Sequence, residues 1–171
     1  MFVNDIKTTE YAPFYANYIS KAGHLSLIAG LEQGKNQTLT FFEALPTEKW
    51  EYRYAKNKWT IKDVLQHIID TELIFVYRAL RVARADKTPL PGFEQDDYVT
   101  HAHANNKTFQ QLLTEYNLLR QFTISLFNGF TSQMLLQMGE ASGSAISVRA
   151  LGFILIGHEQ HHIDVIKARY L

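Results

Sequence analysis

Residues 60–86, TIKDVLQHIIDTELIFVYRALRVARAD, contain neither Gly nor Pro, and the next proline is Pro89. Ile61, Val64, Leu65, Ile68, Glu72, Phe75, Val76 and Ala79 recur at spacings of three and four and trace one face of a helix, apolar except at Glu72. Thr60 can cap the first turn, and Asp63 three residues on completes the capping-box spacing with Asp in place of Glu. The stretch therefore predicts a long amphipathic helix. The carboxylate of Glu72, set on its apolar face, requires a buried partner, for which Arg149 is a candidate.

Upstream, the segment from about Ser20 to Leu45 shows the same mixed spacing and is stopped by Pro46. Gly23, Gly30 and Gly34 weaken it by up to about 1 kcal/mol each relative to Ala. Downstream, Lys87–Lys107 (KTPLPGFEQDDYVTHAHANNK) reads as a loop. Roughly 20 residues without regular structure is long for a compact domain and suggests a second wall of a functional site. Thr108 caps a third helix to about Phe127, with Phe109, Leu112, Leu113, Tyr116, Leu119, Leu126 and Phe127 as inward positions. A short helical turn follows near Ser132 to Met138, and GEASGSAIS (139–147) reads as loop. A final helix runs from about Ser147 to Leu171, where Gly152 and Gly157 can admit a close neighbour. Four long amphipathic segments with no convincing alternating pattern predict an all-α four-helix bundle, one domain over residues 1–171.

The composition sets limits on function. With Lys plus Arg and Asp plus Glu at 17 each, the formal net charge is zero. No long-range field would gather the chain onto nucleic acid or acidic membranes. The absence of Cys excludes disulfides, Cys-based zinc sites and a cysteine nucleophile. The start, MFVNDIKTTEYAPFY, lacks a basic n-region and an apolar h-region, and no stretch approaches the roughly 20 apolar residues that span a bilayer. A cytoplasmic location is the resulting expectation.

Chemistry concentrates on histidines. In the last segment Leu151, Leu155, His158, His162 and Val165 fall within roughly 40° of one line on a helical wheel, so two imidazoles four apart can converge on one ion. Neutral imidazoles suit zinc, nickel or iron. His161 and Glu159 fall at opposite edges of that stripe. A single HxxxH pair is also compatible with core histidines satisfied by hydrogen bonds. A third ligand would have to come from a facing helix, and His67, His24, Glu72 and Asp70 are the candidates. The wheel gives His67 no inward position, since it lies well off the line of Ile61, Ile68 and Phe75. His101 and His103 sit two apart in the loop without rigid support and are expected in solvent.

Three blocks of residues together resemble the DinB-like superfamily, which includes the bacillithiol S-transferases and the mycothiol-dependent maleylpyruvate isomerases. They are Trp59-Thr60-x-x-Asp63-Val64-Leu65-x-His67-Ile68-x-Asp70-x-Glu72, then Pro91-Gly92-Phe93, then Gly157-His158-Glu159-x-His161-His162. The resemblance runs from the first helix to the end of the chain. It implies a four-helix bundle holding a divalent metal, commonly nickel or zinc, on His67, His158 and His162.

Three protein ligands would leave coordination positions open, as in catalytic sites. The expected function is then a metal-dependent enzyme, an S-transferase or hydrolase. The metal would activate a thiol or water against a small-molecule substrate, with a low-molecular-weight thiol as a candidate partner. The alternative is a non-catalytic metal-binding or interaction protein. Asp70 and Glu72 can orient a ligating imidazole, or Glu72 can be purely structural and Asp70 face water. Phe153, Ile156 and Ile163, opposite the histidine stripe, must also be covered, by a neighbouring helix or by a second subunit of a homodimer.

Overall fold

The computed structural model describes residues 1–171. Its order is α1 (Ala16–Lys21), α2 (Leu27–Glu43), α3 (Ile61–Ala83), α4 (Gln95–Ala102), α5 (Phe109–Asn128), α6 (Ser132–Leu135), β1 (Met138–Ala141), β2 (Ser144–Ser147) and α7 (Val148–Arg169). Helices α2, α3, α5 and α7 form a four-helix bundle. Each of α2 and α3 packs against both α5 and α7, so α2 lies diagonally across from α3, and α5 from α7. Two of the three chain connections therefore cross a diagonal, which sets α3 directly beside α7.

The caps anticipated at Thr60 and Thr108, and a further one at Ser147, define the helix starts. Thr60 Oγ1 accepts from the Asp63 amide at 3.0 Å, and Asp63 Oδ2 accepts from the Thr60 amide at 2.9 Å. Thr108 and Gln111 repeat the arrangement on α5, and Ser147 Oγ caps α7 by accepting from the Ala150 amide at 3.0 Å. Each cap satisfies amides that the first turn of a helix leaves without partners.

Three segments differ from the sequence reading. The first helix is two: α1 packs on α7, the chain turns over residues 22–26, and α2 starts at Leu27. The 87–107 segment is not a structureless loop but carries α4, with Asp96 and Asp97 in its first turn where they oppose the helix dipole, and a 3₁₀ turn at Ala104–Asn106. GEASGSAIS is an antiparallel hairpin, with Met138 opposite Ser147 and Ala141 opposite Ser144. Its two-residue turn puts Ser142 at φ 52° and Gly143 at φ 73°, the mirror-image turn whose twist matches a hairpin. Leu90 bonds to this hairpin through Glu140 O at 3.0 Å and the Ser142 amide at 2.9 Å, holding the segment around Leu90 against it.

The interior has two apolar clusters with a polar layer between them. One gathers Leu27, Leu31, Phe75, Val76, Ala79, Phe127, Leu151 and Ile154. The other gathers Phe42, Ile61, Leu65, Ile68, Phe109, Leu112, Tyr116 and Ile166. On every bundle helix the chain between the two clusters carries buried polar residues: Thr38 on α2, His67, Thr71 and Glu72 on α3, Arg120 and Thr123 on α5, His158 and Glu159 on α7.

Glu72 finds its partner in that layer, and it is Arg120 rather than Arg149. The Arg120 guanidinium grips Glu72 at 2.7 and 2.8 Å and donates to Glu159 Oε1 at 2.9 Å. Thr123 donates to Glu72 at 2.7 Å, and Tyr116 donates to Glu159 at 2.7 Å. Arg149 instead pairs with Glu10 of the N-terminal segment. Glu159, placed by the wheel at the edge of the stripe, is 2% exposed and fully enclosed in this network. Phe153, Ile156 and Ile163 are buried within the chain, beneath α1 and α2. Their burial requires no second subunit, and a homodimer would have to form through another surface.

Candidate metal centre

The polar layer brings three histidines together where α3 runs beside α7. His67 Nε2 and His162 Nε2 each lie 3.1 Å from His158 Nε2. The three ligand nitrogens all fall within 4.8 Å of one another, a grouping able to hold a metal ion. Two nitrogens each about 2.05 Å from a tetrahedral zinc stand about 3.3 Å apart, so the 3.1 Å separations suit a shared ion. The resemblance implied His67 as third ligand, and the structure brings its ring beside those of His158 and His162, 4% exposed despite its position off the wheel line.

The donor chemistry fits a divalent cation. Burial, then charge repulsion from His161, pushes the His67 imidazole down to about 4. Burial and the neighbouring imidazoles push His158 and His162 well below the ordinary histidine range. All three rings are thus neutral at neutral pH, the form that ligates. Three imidazoles bring no negative charge, so a bound divalent ion would keep its full charge toward anything else it meets.

Aromatic rings fix the orientation of the histidines. Trp59 packs on His67 with centroids 4.8 Å apart, and Tyr18 presents its edge to His158 at 5.3 Å and to His161 at 5.4 Å. Tyr18 can reach them because α1 approaches α7 at Gly157. A Cβ there would stand 1.7 Å from the Tyr18 carbonyl oxygen. Gly157 is therefore part of the construction of the site, and it admits the close neighbour expected of it.

The remaining candidates are elsewhere. His24, His101 and His103 are exposed. His161 packs between Tyr18 and His162, outside the three-nitrogen group. Asp70 accepts from Gln66 Nε2 at 2.8 Å, and Glu72 is taken up by Arg120. Neither carboxylate reaches a histidine ring, so the orienting role considered for them is not what the structure gives them.

The histidines separate two cavities. His162 lines one of about 720 Å³, walled by Tyr54, Trp59, Val99 and Tyr170 with Arg53 and Lys58 at its rim. His67 and His158 line another of about 360 Å³, walled by Tyr15, Tyr18, Phe75 and Phe93 with Arg78 and Thr71. The 87–107 segment contributes to both, through Asp96, Val99 and His103 on one side and Gly92 to Gln95 on the other, as a second wall. Tyr18 and the doubled cavity were not legible in the sequence, and Arg78, though in line with His67 and Thr71 on α3, lies on the side of that helix away from the line of Ile61, Ile68 and Phe75.

Comparison with known proteins agrees with this architecture. Residues 31–166 match the DinB superfamily. The Oceanobacillus iheyensis protein OB0413, named provisionally as a metal-dependent hydrolase, is 29% identical over 129 residues, 72% of each chain. Among solved structures, Bacillus subtilis YfiT, described provisionally as a metal-dependent hydrolase with an unusual four-helix bundle topology, superposes with a TM-score of 0.72. The match has 16% identity and covers 93% of this chain and 91% of YfiT. The DinB-like protein YjoA of B. subtilis superposes with a TM-score of 0.59 at 17% identity, over 83% of this chain and 87% of YjoA. With a family match extending from α2 to the last turns of α7, the chain belongs to the DinB superfamily.

Proposed function

We propose that this protein is a divalent-metal-dependent enzyme that activates a nucleophile against a small-molecule electrophile, with His67, His158 and His162 as the metal ligands and nickel or zinc as the metal. The observation that carries this reading is the convergence of three neutral imidazoles at a point bordered by cavities. When bound there, a divalent ion with an open position lowers the pKa of a water or thiol to a value reached near neutrality.

The chain's own residues fit that division of labour. No carboxylate reaches the three rings, so the protein offers no side-chain base of its own beside the ligands, and ionisation of the nucleophile would fall to the cation. Trp59 and Tyr18 hold the rings and exclude water from their flanks. Water as nucleophile, giving a hydrolase, is supported by the provisional names of OB0413 and YfiT. A thiol as nucleophile, giving an S-transferase, is favoured by a separate observation: two cavities meet at the histidines, room for two reactants on opposite sides. Lys58, at the rim of the larger one beside the Arg53–Asp63 pair, suits a low-molecular-weight thiol that bears a carboxylate.

The test is turnover by protein reconstituted with zinc or nickel. 4-Nitrophenyl acetate probes hydrolysis, and cysteine with monochlorobimane probes thiol transfer, each compared with His162→Ala and with chelated protein. Metal-dependent turnover lost in the variant supports the enzyme. Stoichiometric metal with no metal-dependent turnover of either probe would favour the non-catalytic metal-binding reading.

A further inference from the structure

Arg78 is a buried cation without a counter-ion. It is 2% exposed, yet no carboxylate lies within ion-pair distance. Its only hydrogen bonds run from Nη2 to neutral acceptors, the Pro91 carbonyl at 2.7 Å and Ser142 Oγ at 3.2 Å. Nε–H and Nη1–H remain free to donate. A guanidinium removed from water ordinarily demands an acid, and the other two buried arginines, Arg120 and Arg149, each have one. Phe75 and Phe93 flank the Arg78 guanidinium at 5.3 and 5.9 Å, which offsets part of its desolvation but supplies no negative charge.

Arg78 lines the smaller cavity, the one entered by His67 and His158. A second unsatisfied group borders it: Thr71 lines the cavity, and its Oγ1 is buried with no hydrogen-bond partner. Thr71 follows His67 by one helical turn and Arg78 follows Thr71 by two, so the histidine, the hydroxyl and the guanidinium are set in a row along α3, about 16 Å of helix rise from first to last. Between them the walls are the rings of Tyr15, Tyr18, Phe75 and Phe93. The only acid on the cavity, Glu94, is solvent-exposed and makes no ion pair.

We propose that this cavity binds an aromatic carboxylate, with the carboxylate on Arg78, the apolar body between the four rings and the other end of the molecule at the His67–His158 edge of the metal centre. A planar fork with two free donors matches a carboxylate in two-point geometry. The aromatic walls match a ring that needs no hydrogen bonds, and the orphaned Thr71 hydroxyl can bond a polar group midway. The proposal deepens the enzyme reading by naming a substrate class and rests on that reading for what happens at the metal end. Its anion-binding half requires no metal.

The experiment measures binding of 3-phenylpropionate and of its neutral amide to metal-stripped protein by calorimetry. The parent should prefer the acid by about tenfold or more, and Arg78→Met should bind the two equally. Equal binding by the parent, binding of neither, or a preference kept in Arg78→Met would overturn the proposal. Should Arg78→Met not fold, the Nε resonance of Arg78 in ¹⁵N-arginine-labelled parent, assigned with Arg78→Lys, decides. It should shift with the acid and not with the amide, and an unmoved resonance overturns the proposal. Because metal is absent throughout, acid selectivity without metal-dependent turnover would sink the enzyme reading alone, and turnover without selectivity would sink this one alone.

Discussion

Arg120 holds Glu72 through two parallel hydrogen bonds, 2.7 and 2.8 Å long, at the centre of the bundle, and a further donor on the same guanidinium reaches Glu159. One cation serves two carboxylates in the layer that also contains the histidines. Burial pushes the Glu159 carboxyl up, opposed by Arg120.

Removing that cation would leave two buried carboxylates with hydroxyl partners only. Arg120→Met is expected to cost about 3–5 kcal/mol, as for other broken buried pairs. Urea unfolding measures it. The double variant Glu72→Gln with Arg120→Met should lose less than the sum of the singles, because the second change removes a charge already orphaned. Strict additivity would show that the pair is not coupled.

The close approach at Gly157 predicts a position that tolerates no side chain. With a Cβ 1.7 Å from the Tyr18 carbonyl oxygen, Gly157→Ala must push α1 off α7. An overpacking cost of about 1–3 kcal/mol is expected, together with weaker metal retention as Tyr18 leaves His158. A melting temperature and metal content equal to those of the parent would show that α1 does not buttress the site.

Glu10 ties the N-terminal segment to the start of α7. Burial disfavours its charge, but hydrogen bonds from Arg149, the Lys7 amide and Ser147 prevail and bring it down to about 2. A carboxyl whose folded pKa is depressed contributes stability that is complete above its unfolded value near 4.5 and is lost as pH falls toward 2. Glu10→Gln should therefore lower stability at pH 7 and flatten its acid dependence between those values. Chemical denaturation at pH 7, 4.5 and 3 tests this, and parallel curves for parent and variant would contradict it.

The caps, the four long helices and the HxxxH pair were legible because each is a local pattern. His67 and Glu159 were misplaced for one shared reason. A helical wheel assumes a single inward face, whereas α3 packs against both α5 and α7, and α7 against α1, α2 and α3. Residues 61–69 are consequently buried without exception, and the side carrying His67 and Thr71 is as interior as the line of Ile61 and Ile68. Glu72 could be seen to need a partner but not which one, since Arg120 and Arg149 are equally remote in sequence and only the diagonal topology chooses. The hairpin at 138–147 was hidden by strands of four residues, too short for alternation to register, although Ser142-Gly143 is a turn pair in its own right.

The central claim is that His67, His158 and His162 share one divalent ion, and His67 is its most discriminating member because no periodicity argued for it. Equilibrium dialysis against zinc or nickel followed by elemental analysis should give about one ion per chain for the parent and for the exposed-histidine control His101→Ala, with His67→Ala weakened at least tenfold. Full retention by His67→Ala, or a parent that binds no metal, would contradict the three-histidine centre.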